Sequence, residues 1–287
     1  MQPGSIDRRQ FLQFLAASSA LAALPASATA APPKMRLGLV TYQWGKDWDL
    51  ATIIKHCEAA DFSGVELRST HRHGVEITLD AAERREVRAQ FADSPVECVG
   101  PGSACEYHSA DPEVVRKNIE ETKEFIRLSH DIGGTGVKVR PNGFPKEVSK
   151  EKTLEQIGKS LREVGQFAED HGQIIRLEVH GRGTSELPHI RTMLDVADHP
   201  AVTVCWNCNG TDLAGEGLEH NFKLVQDSIS TVHIHDLRHD NYPWQQLFGL
   251  LKGINFSGWT LIEDGNVPDD IPAAMKENRK LWEQLAS

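Results

Sequence analysis

Residues 174–180 read Ile174-Ile175-Arg176-Leu177-Glu178-Val179-His180, a β-rich run that opens on apolar residues and closes on an acid and an imidazole. Side chains alternate faces along a strand, so Arg176, Glu178 and His180 share one face while Ile175, Leu177 and Val179 share the other. The same arrangement recurs at Glu66/Arg68, Lys138/Arg140, Asn207/Asn209, His233/His235 and Glu263. Each stands at or near the end of a β-rich run that a stretch of helical periodicity follows. A barrel of parallel strands, its mouth lined by these residues, accounts for all of them together.

Working outward, strands are expected at 36–42, 64–68, 96–100, 136–140, 174–180, 202–206, 231–236 and 259–263, each followed by a helix; the last helix covers 271–285. Eight strand–helix pairs of roughly 30 residues each have the count and spacing of a (β/α)8 TIM barrel with right-handed crossovers. A doubly wound open sheet calls for a glycine-rich phosphate loop after the first strand, and Tyr42-Gln43-Trp44-Gly45 is not one. The chain has 287 residues, 39% hydrophobic and 25% charged, which suits a single large α/β domain over 31–287.

The first thirty residues are set apart. Asp7-Arg8-Arg9-Gln10-Phe11-Leu12-Gln13 and the apolar stretch after it read as a twin-arginine signal peptide, with small-residue cleavage sites at Ala26-Ser27-Ala28 and Ala28-Thr29-Ala30. The apolar run is too short to span a bilayer, so a periplasmic or exported protein with no membrane attachment after cleavage is expected. The formal charge is −10, and removing the leader makes the rest one unit more acidic. A net acidic field argues against nucleic acid and anionic membrane surfaces as partners. Five cysteines (57, 98, 105, 205 and 208) form no disulfide framework, and the lone Cys205-Trp206-Asn207-Cys208 at the end of an apolar strand reads as buried thiols.

Strands of a parallel barrel are normally near-continuous apolar runs, so charged residues at inward positions near six strand ends call for a reason. Glu178, His233 and Glu263, three ligand-type residues on strands five, seven and eight, point jointly to a functional site. Glu66 reads equally as a substrate contact or as the ion-pair partner of Arg68 or Arg140. Lys138 and Arg140 either orient substrate oxygens or neutralise carboxylates. His180 and His235 are candidates for hydroxyl binding, Trp44 for an apolar wall with Trp206 and Tyr107, and His108 and Arg238 for substrate contacts from the loops after strands three and seven.

The order and spacing of Gly64-Val65-Glu66, Gly136-Val137-Lys138-Val139-Arg140, Leu177-Glu178-Val179-His180, Val232-His233-Ile234-His235-Asp236 and Gly258-Trp259 running into Ile262-Glu263 resemble the xylose isomerase-like TIM barrels of the sugar phosphate isomerase/epimerase superfamily. The resemblance spans essentially the whole mature chain. It implies a divalent cation (Mn²⁺, Mg²⁺, Co²⁺ or Zn²⁺) held at Glu178, Asn207, His233 and Glu263, with Glu178 and Glu263 as the acid/base pair. The chain departs from the family pattern on strand six: Asn207 stands where an Asp is usual, and Gly210 where a His is usual. An amide carbonyl ligates without bringing negative charge, so weaker metal binding is expected.

Such a site suits removal of a proton beside a carbonyl, whose acidity a cation raises. The reading is an exported keto-sugar isomerase or epimerase acting on a small carbohydrate, and homo-oligomerisation stays open. Two alternatives share the site: a 3-keto-glycoside lyase or hydratase working by β-elimination, and a non-catalytic carbohydrate-binding protein. The distant kinship to endonuclease IV is disfavoured as a guide to function by the acidic charge and by missing ligands of that enzyme's trinuclear metal site.

Overall fold

A computed structural model describes residues 35–287, and the expected export signal at 1–30 lies outside them. The strands are β1 (Arg36–Val40), β2 (Gly64–Arg68), β3 (Glu97–Glu106), β4 (Gly136–Arg140), β5 (Ile174–Glu178), β6 (Val202–Asn207), β7 (Ile229–Ile234) and β8 (Trp259–Ile262). They alternate with α1 (Leu50–Ala59), α2 (Ala81–Ala92), α3 (Pro112–Ile132), α4 (Lys150–Asp170), α5 (Leu187–Ala197), α6 (Leu218–Val225), α7 (Trp244–Gly253) and α8 (Ile271–Ala286). Every strand pairs in parallel with the next and β8 closes on β1, so the expected (β/α)8 barrel is the fold. No helix among the described residues is long and apolar enough to cross a membrane.

Local chemistry sets the helix ends. Asp111 caps α3 by accepting from the Glu113 amide, Pro112 occupies the first turn, and Gly133 ends the helix in the left-handed region at φ 84°. Between those signals Val115, Ile119, Phe125, Ile126 and Ile132 fall on one buried stripe, as an amphipathic helix on a sheet requires. Asp80 and Glu83 form a reciprocal capping box at the start of α2.

The strands bury both faces, each differently. Leu37, Leu39, Val65, Leu67, Val137, Val139, Ile175, Leu177, Val232 and Ile234 join the shell between barrel and helices. On the opposite face, Val40, Val99, Trp259 and Leu261 form a small apolar plug inside the barrel. Gly64 makes room for it, because a Cβ there would lie 2.5 Å from the Trp259 ring.

The third strand differs from expectation. Gly100-Pro101-Gly102 reads in sequence as a strand end, yet β3 runs on to Glu106. Gly100 adopts φ 137°, and the register with β2 shifts between Val65/Cys98 and Glu66/Gly100, so the strand bulges and continues. A Cβ at Gly102 would stand 2.7 Å from Glu66 Oε1, so this glycine leaves space for a buried carboxylate. A second shift, between β6 and β7, sets Asn207 opposite His233. The five cysteines are buried and free.

Candidate active site

Glu66 on β2, Lys138 on β4, Glu178 on β5 and His233 on β7 project above the apolar plug, and none is more than 2% exposed. Glu263 follows β8 directly, its amide donating to Ile234 O at 2.8 Å, and its side chain is 14% exposed. Lys138 Nζ donates to Glu178 Oε2 at 2.8 Å, and Asn207 Nδ2 donates to Glu178 Oε1 at 2.9 Å. His233 stands between carboxylates: Nδ1 is 3.1 Å from Glu263 Oε2 and 3.7 Å from Glu178 Oε1, while Nε2 is 3.4 Å from Glu66.

This many charges in a dry interior persist only when they compensate one another. Burial raises the pKa of Glu178, but the Lys138 ammonium and then His233 outweigh it and hold the carboxyl well below the usual range. Burial likewise opposes ionisation of Glu66, and His233, Lys138 and Arg176 together reverse it. For Lys138, burial works against the charge, and Glu178, Glu66 and Glu263 restore it. Burial also works against a charged His233, and Cys205, Glu263 and Glu66 carry its pKa well above the ordinary value. His180 and His235 differ: burial pushes both downward, which leaves them neutral near pH 7.

Over this cluster lies a cavity of about 360 Å³ whose lining includes Tyr42, His180, Asn207, Asn209, His235 and Glu263. Glu178 lies beneath Asn207 rather than in the wall. The loops around the mouth are tied to one another. Asn209 Nδ2 donates to Val179 O at 3.2 Å and to Asn207 O at 2.8 Å, and the Asn209 amide donates to the buried Asp212. Tyr242 donates its hydroxyl to the same Asp212 at 2.8 Å. The Asp236 amide bonds Asp264, joining the loops after β7 and β8.

The structure therefore gathers Glu66, Lys138, Glu178, His180, Asn207, His233, His235 and Glu263, and it revises the partners of several residues. Glu66 pairs with His233, not with Arg68 or Arg140. Arg140 sits higher on the barrel and pairs with Glu106 at 2.6 Å. Arg238 folds back onto Asp236 at 2.6 Å and reaches Glu277 on α8, so it braces the loop after β7 and does not face the cavity. Trp44 is 2% exposed and donates its indole N–H to Asn266 O at 2.8 Å, making it a brace between the loops after β1 and β8 instead of a wall. Trp206 and Tyr107 are core residues. His108 lies 3.7 Å from Glu106 and lines a different cavity.

Sequence reasoning put Asn209 at the mouth and Arg176 on the face of Glu178 without giving either a role, and it gave Tyr42 no place in the wall. Position was the available signal, since Tyr42 and Asn209 each stand two residues beyond a strand end. Arg176 spends its guanidinium on Val99 O and Thr135 Oγ1 and adds positive charge beneath Glu66.

Glu178, His233 and Glu263 each offer a ligand atom, and these lie within 4.8 Å of one another. The donor set suits a borderline divalent cation, two carboxylates and one imidazole. An observation outside the trio agrees: Glu66 engages His233 Nε2, which leaves Nδ1 toward Glu178 and Glu263, the carboxylate–histidine arrangement that orients metal-binding imidazoles. Asn207 turns its Nδ2 toward Glu178, so it would join as a neutral fourth donor with its amide turned over. The residues present fit such an ion.

Residues 54–285 match the family described as xylose isomerase-like TIM barrel. Among curated proteins, inosose dehydratase of Bacillus cereus (strain AH820) is 25% identical over 173 residues, 54% of this chain, and the match spans 56% of that relative's length. Among solved structures, the apo form of E. coli 3-keto-D-glucoside 4-epimerase, YcjR, superimposes with a TM-score of 0.73 at 16% identity, covering 88% of this chain and 99% of the other. The IOLI protein with a bound zinc atom gives 0.72 at 16% identity, covering 88% and 96%. At such identities the superpositions establish the fold alone, and it is the family match that places the protein: the chain belongs to the xylose isomerase-like TIM barrel family.

Proposed function

We propose that the protein is an exported sugar or keto-sugar isomerase/epimerase that moves a proton at the carbon beside a carbonyl, with Glu178 and Glu263 as the acid/base pair. The observation that carries the reading is the convergence of Glu178, His233 and Glu263 on one point directly below a small cavity whose wall includes Glu263 and Asn207. A divalent cation held by these three residues and Asn207 supplies polarisation of the substrate carbonyl, which makes the adjacent C–H acidic. Glu263 meets the substrate from the β8 side of His233, and Glu178, on the β5 side, reaches it once the Asn207 amide that covers it turns aside, so a proton taken on one face can be returned on the other. Lys138 keeps Glu178 ionised and therefore basic in a site that otherwise favours the neutral acid. Neutral His180 and His235 bind hydroxyls without competing for the cation's place. The relatives named above, a 3-keto-glucoside epimerase and an inosose dehydratase, support sugar chemistry at a carbonyl.

The dehydratase likeness favours a second reading, β-elimination from a 3-keto-glycoside on the same residues. Product analysis on the metal-loaded mature chain separates the two. Epimerisation returns a product of identical composition, and elimination releases an alcohol or water. Turnover of neither kind across ketoses and 3-keto-glycosides, with cation bound, would overturn both and leave a carbohydrate-binding protein.

A further inference from the structure

The loop after β5 separates two cavities. His180 and Gly181 line the one above Glu263, while Arg182 and Gly183 line a second of about 880 Å³, more than twice the first. The ridge between them is bare backbone. Gly181 has φ 91°, and a Cβ there would stand 2.5 Å from the Cα of Asn142, which lines the second cavity. Any side chain on the ridge is thus excluded twice, by conformation and by space. Gly143, beside Asn142 in the loop after β4, holds φ 147° and has nothing within 4 Å of its would-be Cβ, so the far side of the ridge is open.

The second cavity has an apolar surface under a rim of mixed charge, where Arg182 and Lys150 stand with Asp111 and Glu147. Phe144, Pro145 and Val114 supply the apolar part, and Val114 is 43% exposed, one of three large apolar side chains so exposed among the described residues. Phe144 is held in place: a Cβ on Gly183 would be 3.1 Å from its ring, His189 meets it edge-on at 5.3 Å, and Lys150 Nζ stands 5.4 Å from its centroid. Arg182 and Lys150 are exposed at the rim. A fixed aromatic ring beside exposed charges suits a ligand with a flat apolar face, either an aromatic ring or the C–H face of a sugar.

We propose that this cavity binds the aglycone of a glycoside whose keto-sugar ring sits over Glu263, so that the substrate is a glycoside rather than a free monosaccharide. The assignment rests on the reaction proposed above for the location of the first ring, and on the paired cavities for the second. At about 360 Å³ the inner cavity is at the small end of ligand sites and takes one ring. A free monosaccharide leaves the larger, more apolar volume unused, whereas a glycosidic bond crossing the low Gly181 ridge fills both.

The test is calorimetric binding of methyl glucoside, phenyl glucoside and cellobiose to the metal-loaded full-length mature chain, alongside turnover of their 3-keto forms. Phenyl glucoside, cellobiose or both should bind about tenfold tighter than methyl glucoside, the preferred one identifying an aromatic or a sugar aglycone. Phe144→Ala should reduce that advantage to within about threefold, and Arg182→Ala, at an exposed site with little bearing on folding, should lower it by about threefold. Equal binding of all three by the wild type, or equal losses for all three in both variants, overturns the proposal. Discrimination that persists in binding while no keto form turns over supports the groove and refutes the proposed reaction. Turnover of the methyl 3-keto form with no discrimination does the reverse.

Discussion

Replacing Lys138 with Met tests whether the barrel interior depends on internal charge compensation. Lys138 and Glu178 are 1% and 2% exposed and 2.8 Å apart, which puts them in the regime of buried pairs and not in that of surface pairs, worth at most about 1 kcal/mol. Removing one partner of such a pair costs about 3–5 kcal/mol, because the carboxylate left behind is desolvated. Asn207 Nδ2 still donates to Glu178, which argues for the lower half of that range. For a domain of this size each kcal/mol moves Tm by about 2–4 °C, so Lys138→Met should melt about 6–16 °C lower at pH 7. Glu178 has its pKa depressed in the native state, so its favourable contribution exists above the usual carboxylate value and is lost as pH falls through the depressed one. The gap between wild type and variant should therefore be full at pH 7 and close in acid. Saturating Mn²⁺ should narrow it by more than 2 °C, since a cation bound to Glu178 takes over the ammonium's role. Differential scanning fluorimetry across pH, with and without Mn²⁺, reads all of this. A loss below about 2 °C at pH 7, or one unchanged in acid, would refute the reasoning.

Other perturbations reach different parts of the account. Asn207→Asp adds a negative ligand where the amide stands, and should tighten Mn²⁺ or Zn²⁺ binding by about tenfold or more in a competition titration. Glu66→Gln removes the charge that orients His233 and should weaken cation binding by about 10–100-fold while the secondary structure seen by circular dichroism persists. Asp212, whose carboxyl burial pushes up to about 7, should make the fold less stable as pH rises from about 4 toward 7, and Asp212→Asn should flatten that dependence in denaturant titrations. Arg238→Ala should leave KM for any sugar substrate unchanged within about twofold and lower stability by about 1–3 kcal/mol, because Asp236, 2% exposed, is left with Asn278 and a backbone amide as its donors.

How much of this was legible in the chain depended on the range of the forces involved. Gly64–Arg68 and Gly136–Arg140 are strands with the bounds that alternation and flanking glycines suggest, because those signals are local. Glu178, His233 and Glu263 were legible as a set because a parallel barrel brings strand ends together whatever the details of packing. Partnerships were not. Whether Glu66 meets Arg140 or His233 depends on the height of each side chain up the barrel, and that height follows from the register, including the bulge at Gly100 that lets β3 continue. Arg140 lies two residues beyond Lys138 and so finds Glu106 instead. Arg238 was legible as a loop residue, but its turn back to Asp236 is set by Asn278 on α8, some forty residues away in sequence. Trp44 illustrates the ambiguity of aromatics, since its ring fills core and its N–H ties two loops, roles that a sequence pattern does not separate from a sugar-facing wall.

The central claim, proton transfer by Glu178 and Glu263 at the carbon beside a sugar carbonyl, is tested most directly by proton NMR of keto-sugars incubated with the metal-loaded protein in deuterated water. The account predicts deuterium entering the position adjacent to the carbonyl in a substrate of otherwise unchanged composition, with Glu178→Gln and Glu263→Gln both silent although folded. Product formation with no deuterium incorporated, or incorporation undiminished in both variants, would contradict it.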